Sequence, residues 1–289
     1  MRPDARGGPT EFARRRERAA QLAVTPGVEH PLAVLAAVLD HQQIRVRDAT
    51  VVAAAALIGV GAEQRAAAGT VPLLDVTAAV DAVDAGVAPA VQALSDAAVQ
   101  LPDPLRTAGR ILEAPAVRAE AVRTWLVEPA LVDAPVGFWI GVAAQPILEL
   151  AALDARPPAS HHLTASTCPV CGGPPQVSMI TEESGEFMAG SPRSLICGRC
   201  AGRWKYPRAT CVACGEDDSR RLAGWTADDW PTVRIEACDT CRAYIKTFDL
   251  RRPGGRDVVP LVDDVASAAL DLWAIDQGLQ RPVRSLAGV

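Results

Sequence analysis

The chain has 289 residues, of which 49% are hydrophobic and 22% charged, with 34 acidic and 29 basic side chains and a net charge of −5. This composition excludes intrinsic disorder and collagen and predicts a globular chain with one large domain or two to three small ones. The acidic balance argues against broad electrostatic binding to nucleic acid or to anionic lipid.

The apolar segments are too short to predict a helix that spans a membrane. Residues 49–62 and 134–148 are the longest apolar runs without a charge, and both are below the roughly 18–20 residues that a bilayer requires. The first twenty residues carry several arginines but no apolar stretch typical of a secretory or twin-arginine signal. We therefore expect a cytoplasmic protein without membrane insertion.

The first half of the chain predicts an all-α domain over residues 1–156. Alanine and valine dominate it, and proline and glycine interrupt the apolar patterns. After His30-Pro31, the side chains of Leu32, Leu35 and Leu39 recur at helical spacing. Further helices are predicted over residues 49–68, 75–83, 87–101, 104–112, 116–126 and 135–153.

The composition changes at residues 156–160, where two prolines favour extended chain and indicate a domain boundary. Between residues 167 and 250 the apolar runs are short and rich in β-forming residues. They predict short hairpins, with strands over residues 176–180, 194–196, 221–226, 232–236 and 244–249.

The tail returns to a helical pattern. Its apolar residues recur at steps of three and four, and Asp263 and Asp264 stand near the start of the pattern, where carboxylates stabilise a helix. The pattern predicts one long amphipathic helix. The apolar stripe consists of Leu261, Val265, Ala268, Leu272, Ile275 and Leu279.

All eight cysteines fall in four Cys-x-x-Cys pairs. In a reducing compartment this pattern indicates metal ligation before disulfides. Two intervening residues let both thiolates bind one ion, and two pairs complete a tetrahedral site for zinc or iron. Four pairs therefore predict two metal ions, and their spacing does not separate iron from zinc. The predicted ligands are Cys168, Cys171, Cys197, Cys200, Cys211, Cys214, Cys238 and Cys241.

The spacing favours pairing in sequence order. The first two pairs are separated by 25 residues and the last two by 23, so the block is duplicated. Glycine follows the second cysteine at Gly172 and Gly215, as in the knuckles of rubredoxins and zinc ribbons, but Ala201 and Arg242 stand at the other two positions. A nested arrangement, in which the second and third pairs share one ion, stays open.

Three other interpretations compete with structural metal ligation. A thiol oxidoreductase needs an exposed cysteine of low pKa at the start of a helix, a context that none of the pairs has. Iron would also allow one-electron chemistry. A zinc-ribbon protein that binds nucleic acid is the alternative suggested by the basic segment with interleaved aromatic residues. The acidic net charge of the chain favours instead a solvated face or a surface for an acidic protein partner. That segment contains Arg193, Arg199, Arg203, Trp204, Lys205, Tyr206, Arg208, Arg220 and Arg221.

The remaining candidate groups predict no catalysis. His161 and His162 are interpreted as exposed linker residues, and Asp228-Asp229 and Asp263-Asp264 as solvated or helix-terminal carboxylates. No GxGxxG, Walker, GxSxG or HExxH pattern occurs in the chain. We therefore expect a protein that is not an enzyme and has no catalytic residues.

Four segments together resemble the formate dehydrogenase accessory protein family FdhE: CPVCGGPPQVSMI, RSLICGRCAGRWKYPRATCVACG, VRIEACDTCRAYIKTFD and VDDVASAALDLWA. The helical half is similar more loosely, through Phe12 and its arginine run, His30-Pro31 and the glutamines after Leu39. The sequence departs from the family pattern at Arg242 and at residues 201–203.

The resemblance implies a cytoplasmic maturation factor that binds the catalytic subunit of formate dehydrogenase through rubredoxin-like modules. The oligomeric state stays open, a homodimer included. The resulting fold class is α+β and multidomain: a helical domain (1–156), a first four-cysteine module (157–209), a second (210–255), and a C-terminal helix with its tail (256–289).

Overall fold

The N-terminal half is a bundle of helices followed by a region that contains a sheet, as predicted. The computed structural model describes residues 8–157, 166–181 and 193–283. The boundary residues 158–160 and the histidines His161 and His162 lie outside this range. The helices of the bundle are α1 (Pro9–Leu22), α2 (Glu29–Arg45), α3 (Ala49–Gly59), α4 (Ala62–Ala67), α5 (Val80–Asp96), α6 (Asp103–Ile111), α7 (Pro115–Val127) and α8 (Ala134–Ala152).

Two glycines explain where the helices differ from the prediction. The helix predicted over residues 49–68 is split into α3 and α4, because Gly61 has a φ of 77° and turns the chain between them. In contrast, α5 runs through the predicted break between residues 83 and 87. A Cβ on Gly86 would lie 3.2 Å from the Cβ of Ala143 in α8. This glycine therefore permits close packing of two helices and does not end one.

α8 is the central helix of the bundle, and all its side chains from Phe138 to Glu149 are buried. Among the described residues it is the one helix long and apolar enough to cross a membrane, but 61% of its apolar window is buried inside this protein. Its polar side chains are paired. Arg15 Nη1 donates to Glu149 Oε1 at 2.7 Å, and Gln42 Nε2 donates to Gln145 Oε1 at 2.9 Å.

Gln42 also donates a hydrogen bond to a carbonyl of α8 that lacks its helical donor. Pro146 lies inside this helix and has no N–H to donate to the carbonyl of Val142, four residues earlier. Gln42 Nε2 donates to that carbonyl at 3.2 Å. The glutamine of α2 therefore satisfies a buried acceptor that the proline leaves open.

The second half forms one six-stranded sheet with the order β3-β2-β1-β6-β5-β4. The first three strands lie after the first cysteine pair and on both sides of the second, and the last three lie in the same way around the third and fourth pairs. Both triplets are antiparallel, and the parallel pair β1–β6 joins them. The strands are β1 (Pro175–Ile180), β2 (Arg193–Cys197), β3 (Arg203–Lys205), β4 (Leu222–Thr226), β5 (Val233–Cys238) and β6 (Tyr244–Asp249).

The two faces of the sheet have different neighbours because side chains alternate along each strand. Val233, Ile235 and Phe248 point to one face and pack against the C-terminal segment. Arg234 and Glu236 alternate with these apolar residues along β5 and point to the opposite face.

The tail contains two helices where the apolar stripe predicts one. α9 (Pro260–Ala266) and α10 (Ala268–Asp276) meet at Ser267, whose ψ is 28°. Lys246 Nζ donates to the carbonyl of Asp264 at 2.6 Å, and Ser267 Oγ donates to the carbonyl of Asp263 at 2.7 Å. The carbonyl of Asp263 also keeps its helical bond from Ser267 N, at 2.9 Å. The lysine, however, takes the carbonyl of Asp264 that a continuous helix would use for the N–H of Ala268, and the helix breaks there.

The tail is fixed to the sheet by buried charges. Lys246 Nζ lies 2.8 Å from Asp264 Oδ1 and 2.5 Å from Asp271 Oδ2, and Arg281 Nη2 and Nη1 lie 3.0 and 3.1 Å from the same two carboxylates. Two positive and two negative side chains therefore neutralise one another. The interpretation of Asp264 as a solvated or helix-terminal carboxylate is wrong, because its side chain is fully buried. Asp263 does accept a hydrogen bond from the N–H of Val259, at the start of α9.

We predict that Asp264→Ala lowers the free energy of unfolding by about 3–5 kcal/mol, because it leaves a buried positive charge unpaired. Burial raises the pKa of Asp264, but Arg281 and Lys246 lower it more, and it falls to about 2. The stabilisation is therefore complete above about pH 4, the pKa of an unfolded aspartate, and is lost as the pH falls toward 2. Urea unfolding of wild type and variant at several pH values measures both effects.

Asp276→Ala is the matched control, because Asp276 lies in α10, the next helix of the tail, and is exposed. It should change the free energy of unfolding by less than about 0.5 kcal/mol. Equal effects of the two substitutions, or a difference between them that is as large at pH 2 as at pH 7, would contradict this account of the tail.

Candidate metal centres

The structure brings the eight cysteines together as two groups of four. Within each group the sulfur atoms all lie within 4.8 Å of one another. The grouping follows the sequence order and not the nested alternative. The first cluster consists of Cys168, Cys171, Cys197 and Cys200, and the second cluster of Cys211, Cys214, Cys238 and Cys241.

The sulfur distances fit tetrahedral coordination. In the first cluster Cys168 and Cys200 are 3.7 Å apart, and Cys171 and Cys197 are 3.4 Å apart. The corresponding distances in the second cluster are 3.6 and 3.8 Å. A tetrahedron with metal–sulfur bonds of 2.3 Å has edges of about 3.8 Å, whereas a disulfide requires about 2.05 Å. All eight thiols are free of disulfides, and the donor set suits zinc or iron.

The same backbone turn is used in all four cysteine pairs. The residue after the second cysteine has positive φ in each: 74° at Gly172, 51° at Ala201, 77° at Gly215 and 60° at Arg242. Ala201 and Arg242 therefore keep the conformation that glycine adopts without strain. The departures from glycine at these two positions leave the knuckle geometry intact.

A second backbone contact repeats with the turn. The N–H of the first cysteine donates to the carbonyl five residues later in every pair. The four bonds are Cys168 to Gly173 (2.8 Å), Cys197 to Gly202 (2.9 Å), Cys211 to Glu216 (2.8 Å) and Cys238 to Ala243 (2.9 Å). The chain thus curls around its sulfur atoms in the same way four times, which the duplicated spacing alone did not reveal.

Two glycines make room for the first cluster. A Cβ on Gly173 would lie 3.0 Å from the Sγ of Cys197, and a Cβ on Gly202 would lie 3.0 Å from the Sγ of Cys200. Real Cβ atoms rarely approach so closely without a shift of their neighbours. The backbone is therefore shaped around the four sulfur atoms, as a site for an ion requires. The second cluster has Glu216 and Ala243 at the corresponding positions.

The two clusters differ in exposure. The four cysteines of the first cluster are at most 3% exposed. In the second cluster, Cys214 and Cys241 are exposed, whereas Cys211 and Cys238 are buried. One face of the second cluster therefore meets solvent, and the first is enclosed by protein.

The first cluster is enclosed because the helical bundle packs on it. Leu73 N donates to the carbonyl of Pro169 at 3.1 Å, and Leu74 N donates to that of Val170 at 2.8 Å. Thus the chain before α5 forms backbone hydrogen bonds with the first knuckle. The cysteines of this cluster belong to the same continuous core as the interior of the bundle.

Arg199, between Cys197 and Cys200, ties the second knuckle to α7. Its guanidinium donates to the carbonyls of Trp125 and Leu126 and lies over the Trp125 ring, 4.7 Å from the centroid. The sequence pattern places Arg199 in a basic segment and does not predict this role. Its position inside a knuckle, one residue before a cysteine, was the available signal.

The electrostatics of the first cluster favour cation binding. Burial raises the pKa of Cys197, but hydrogen bonds with Cys168, Cys171 and Cys200 more than offset it, and the pKa lies well below that of a free thiol. Burial raises the pKa of Cys168 well above that value. One thiolate is thus stabilised by protonated neighbours, and a bound cation would stabilise the others as thiolates.

The basic segment is divided between the interior and the surface, since Lys205, Arg208, Arg220 and Arg221 are exposed. Arg193, Arg199, Trp204 and Tyr206 are at most 5% exposed, so they form no stacking surface for bases, and the segment's interpretation as a solvated face is wrong for them. The other candidate groups lie apart from the cysteines: Asp228 and Asp229 are exposed in a loop, and His30 Nε2 is 2.5 Å from the carbonyl of Gln100.

We predict that Ala201→Gly raises the free energy of unfolding by about 0.5–1 kcal/mol, because it removes the Cβ from a left-handed residue at a small cost in chain entropy. Thermal or urea unfolding of the metal-loaded protein measures this. Ala213→Gly, inside the third pair and not at positive φ, is the control and should not stabilise. A decrease in stability with Ala201→Gly would contradict the strain at this turn.

We predict that a chelator such as 4-(2-pyridylazo)resorcinol removes metal from the purified protein in two phases of equal amplitude. The fast phase comes from the second cluster because its sulfur atoms reach solvent. Cys214→Ser should abolish the fast phase and leave a soluble protein with one ion, whereas Cys197→Ser should lower the soluble yield, since its cluster is part of the core. A single phase for all metal, or normal yield and metal content in both variants, would contradict this.

The family models that match this chain cover both clusters. "FdhE, central domain" matches residues 167–208, and "FdhE, C-terminal domain" matches residues 209–286. A protein FdhE homolog of Aquifex aeolicus (strain VF5) is 39% identical over 121 residues, which are 42% of this chain and 41% of that protein. One of Rhizobium meliloti (strain 1021) is 34% identical over 190 residues, 59% of this chain and 60% of that protein. The chain thus covers less than two thirds of either relative.

The fold is also that of a solved structure. The crystal structure of the FdhE protein from Pseudomonas aeruginosa superposes with a TM-score of 0.69 and 24% identity, over 99% of this chain and 97% of that one. Similarity at this level extends the shared fold to the helical half, outside the matched family domains. With both cysteine modules inside FdhE domains and the relatives above, the resemblance noted in the sequence is confirmed for the cysteine-containing part of the chain, residues 167–286.

Proposed function

We propose that this chain is an accessory protein for formate dehydrogenase and binds the catalytic subunit of that enzyme through its two four-cysteine modules. The observation that carries the proposal is that the FdhE domains coincide with two closed sets of four sulfur atoms. The modules are assigned to residues 157–209 and 210–255, after a helical domain (1–156) and before the C-terminal segment (256–289).

In this proposal the modules hold two metal ions, iron or zinc, one in each cluster. Four thiolates fill a tetrahedral shell and leave no position for water or substrate, which supports a structural role and a protein that is not an enzyme. The metals would fix the module surfaces that a partner contacts. The proposed ligands are Cys168, Cys171, Cys197 and Cys200 for one ion and Cys211, Cys214, Cys238 and Cys241 for the other.

The proposed location is the cytoplasm. Eight cysteines without a disulfide suit a reducing compartment, where thiolates stay available to metals. Within the described part of the chain, the one apolar helix of sufficient length has most of its side chains in the core of the bundle, which supports a protein that does not insert into the membrane.

We predict that host cells lacking this gene lose formate-dependent dye reduction while the catalytic subunit of formate dehydrogenase is still present on an immunoblot. The wild-type gene should restore activity. Cys197→Ser should not, because the first cluster would lose a ligand and with it the docking of the modules on the bundle.

Asp276→Ala serves as the control, since this exposed residue lies away from both clusters, and it should restore activity as the wild type does. Unchanged dye reduction in the deletion strain would contradict the proposed function. Loss of the catalytic subunit itself would show a role in its synthesis or stability instead of its maturation.

A further inference from the structure

Arg199 is buried without a carboxylate partner, unlike the other buried cations of the described part of the chain. Its side chain belongs to a residue that is 3% exposed, and no ion pair with an acidic residue includes it. Four other basic side chains are buried, and each pairs with a carboxylate: Arg15 with Glu149 (2.7 Å), Arg193 with Glu236 (2.9 Å), Lys246 with Asp264 (2.8 Å) and Arg281 with Asp264 (3.0 Å).

The neighbours of the Arg199 guanidinium carry only partial negative charge. They are the carbonyl oxygens of Trp125 and Leu126 and the face of the Trp125 ring. The Nε of Arg199 is buried and has no hydrogen-bond partner among the described residues. A guanidinium stays charged at any physiological pH, and buried charges in proteins are paired with an opposite charge. Arg199 therefore requires a full negative charge nearby.

The first cluster is the source of that charge. Arg199 lies between two of its cysteines, and the backbone N–H of Arg199 donates to the Sγ of Cys197 at 3.4 Å. The side chain stays beside the same sulfur, since a Cβ on Gly173 would lie 2.8 Å from Arg199 Cδ and 3.0 Å from Cys197 Sγ. Because Nε is bonded to Cδ, the guanidinium begins next to the cluster.

The cluster needs a positive charge as much as Arg199 needs a negative one. Four thiolates around one divalent ion leave two negative charges in excess. The first cluster is enclosed by protein, so no water offsets this excess, and a buried charge without compensation is costly. The cluster and Arg199 each supply the charge that the other lacks.

We propose that Arg199 is the counter-ion of the first metal centre and determines how tightly that centre retains its ion. Its positive charge stabilises the anionic shell of thiolates around the bound iron or zinc. Arg199 is thus a positioning residue, which acts on the ion through the sulfur ligands. The inference rests on the metal ligation proposed above and is independent of the part that concerns formate dehydrogenase.

The second cluster has no such counter-ion. Ala213 stands at the position of Arg199 in the corresponding knuckle, and its N–H donates to the Sγ of Cys211, also at 3.4 Å. Ala213 is exposed, as are two cysteines of this cluster. Water, with its high dielectric constant, can offset the charge there. The buried arginine therefore accompanies the enclosed cluster and is missing from the open one.

The test is the zinc affinity of the full-length chain, measured by competition with a chromogenic chelator. Cys214→Ser lacks a ligand of the second cluster and so identifies the signal of the first. Arg199→Gln keeps an amide donor but removes the charge, whereas Arg199→Lys keeps the charge but loses the planar fork. Arg199→Gln should weaken the first site about 10–100-fold, as loss of a partner of a metal ligand does. Arg199→Lys should restore most of this affinity, and neither should change the second site.

Lys205→Gln is the control, because it removes an exposed positive charge from the same module and should leave both affinities unchanged. Equal weakening by Arg199→Gln and Arg199→Lys would assign Arg199 a hydrogen-bonding role and overturn the counter-ion. An unchanged first site in Arg199→Gln would overturn it as well. A wild-type chain that binds no zinc or iron would contradict the metal ligation itself.

The reduction potential of the iron-loaded chain separates the charge of Arg199 from its packing. An electrode supplies one electron, which converts the ferric ion to the ferrous ion and makes the centre more negative by one charge. Arg199 favours the ferrous form, so Arg199→Gln should lower the potential of the first centre by at least about 59 mV, a tenfold change in the equilibrium constant. Water that entered a loosened site would instead raise the potential. An unchanged or higher potential in Arg199→Gln would therefore overturn the proposal.

Ala213→Arg tests the same principle without a change in the core. The two knuckles share their backbone turn, so the new guanidinium can reach the sulfur atoms of the second cluster. It should tighten zinc binding at the second site about threefold, a small effect because water screens exposed charges, and Ala213→Gln should not. If Arg199→Gln is insoluble, equal zinc affinities of Ala213→Arg and Ala213→Gln would overturn the counter-ion role.

Discussion

Closure of the first four-sulfur cluster is the constraint on which the rest of the structure depends. Its cysteines come from two knuckles 25 residues apart, and they meet where the helical bundle, the sheet and the tail converge. Hydrogen bonds from Leu73 and Leu74 reach one knuckle, and Arg199 ties the other to α7. An ion bound there would contribute folding free energy to the whole core, because the unfolded chain has no preformed site.

The two clusters share one backbone geometry because the module is duplicated, but they differ in their surroundings. Both modules use the same turn and the same hydrogen bond from the first cysteine, and their strands join in one sheet through β1 and β6. The first module lies against the helical bundle, so its cluster is enclosed. The second module lies at the other end of the sheet, where β4 is the edge and Cys214 and Cys241 reach solvent. The first module thus contributes to the core of the chain, and the second exposes one side of its cluster to solvent.

The cysteine grouping and the helical half could be predicted from the sequence because they rest on local patterns. A Cys-x-x-Cys turn fixes two ligands within four residues, and the helical periodicity of α2 is visible in its leucines. The structure of the tail could not be predicted, because its helical periodicity fits one long helix as well as the two helices observed. The sequence pattern places Asp264 near the start of an amphipathic helix, yet its side chain is buried and paired with Lys246 and Arg281, which lie outside that pattern's apolar stripe. Long-range charge pairing leaves no trace in a local pattern.

The knuckle from Cys197 to Cys200 connects these parts physically. The carbonyl of Gly198 accepts a hydrogen bond from Gln145 of the central helix at 3.3 Å. On its other side, a Cβ on Gly198 would lie 3.2 Å from Gln176 Oε1, and Gln176 Nε2 donates to Asp264 Oδ2 at 2.8 Å. Glycine is thus required where a knuckle passes between two buried polar groups. Through this residue the first cluster contacts both the bundle and the charged anchor of the tail. Since packed interiors transmit strain, the bundle, the first cluster and the charged anchor of the tail are mechanically connected through this knuckle.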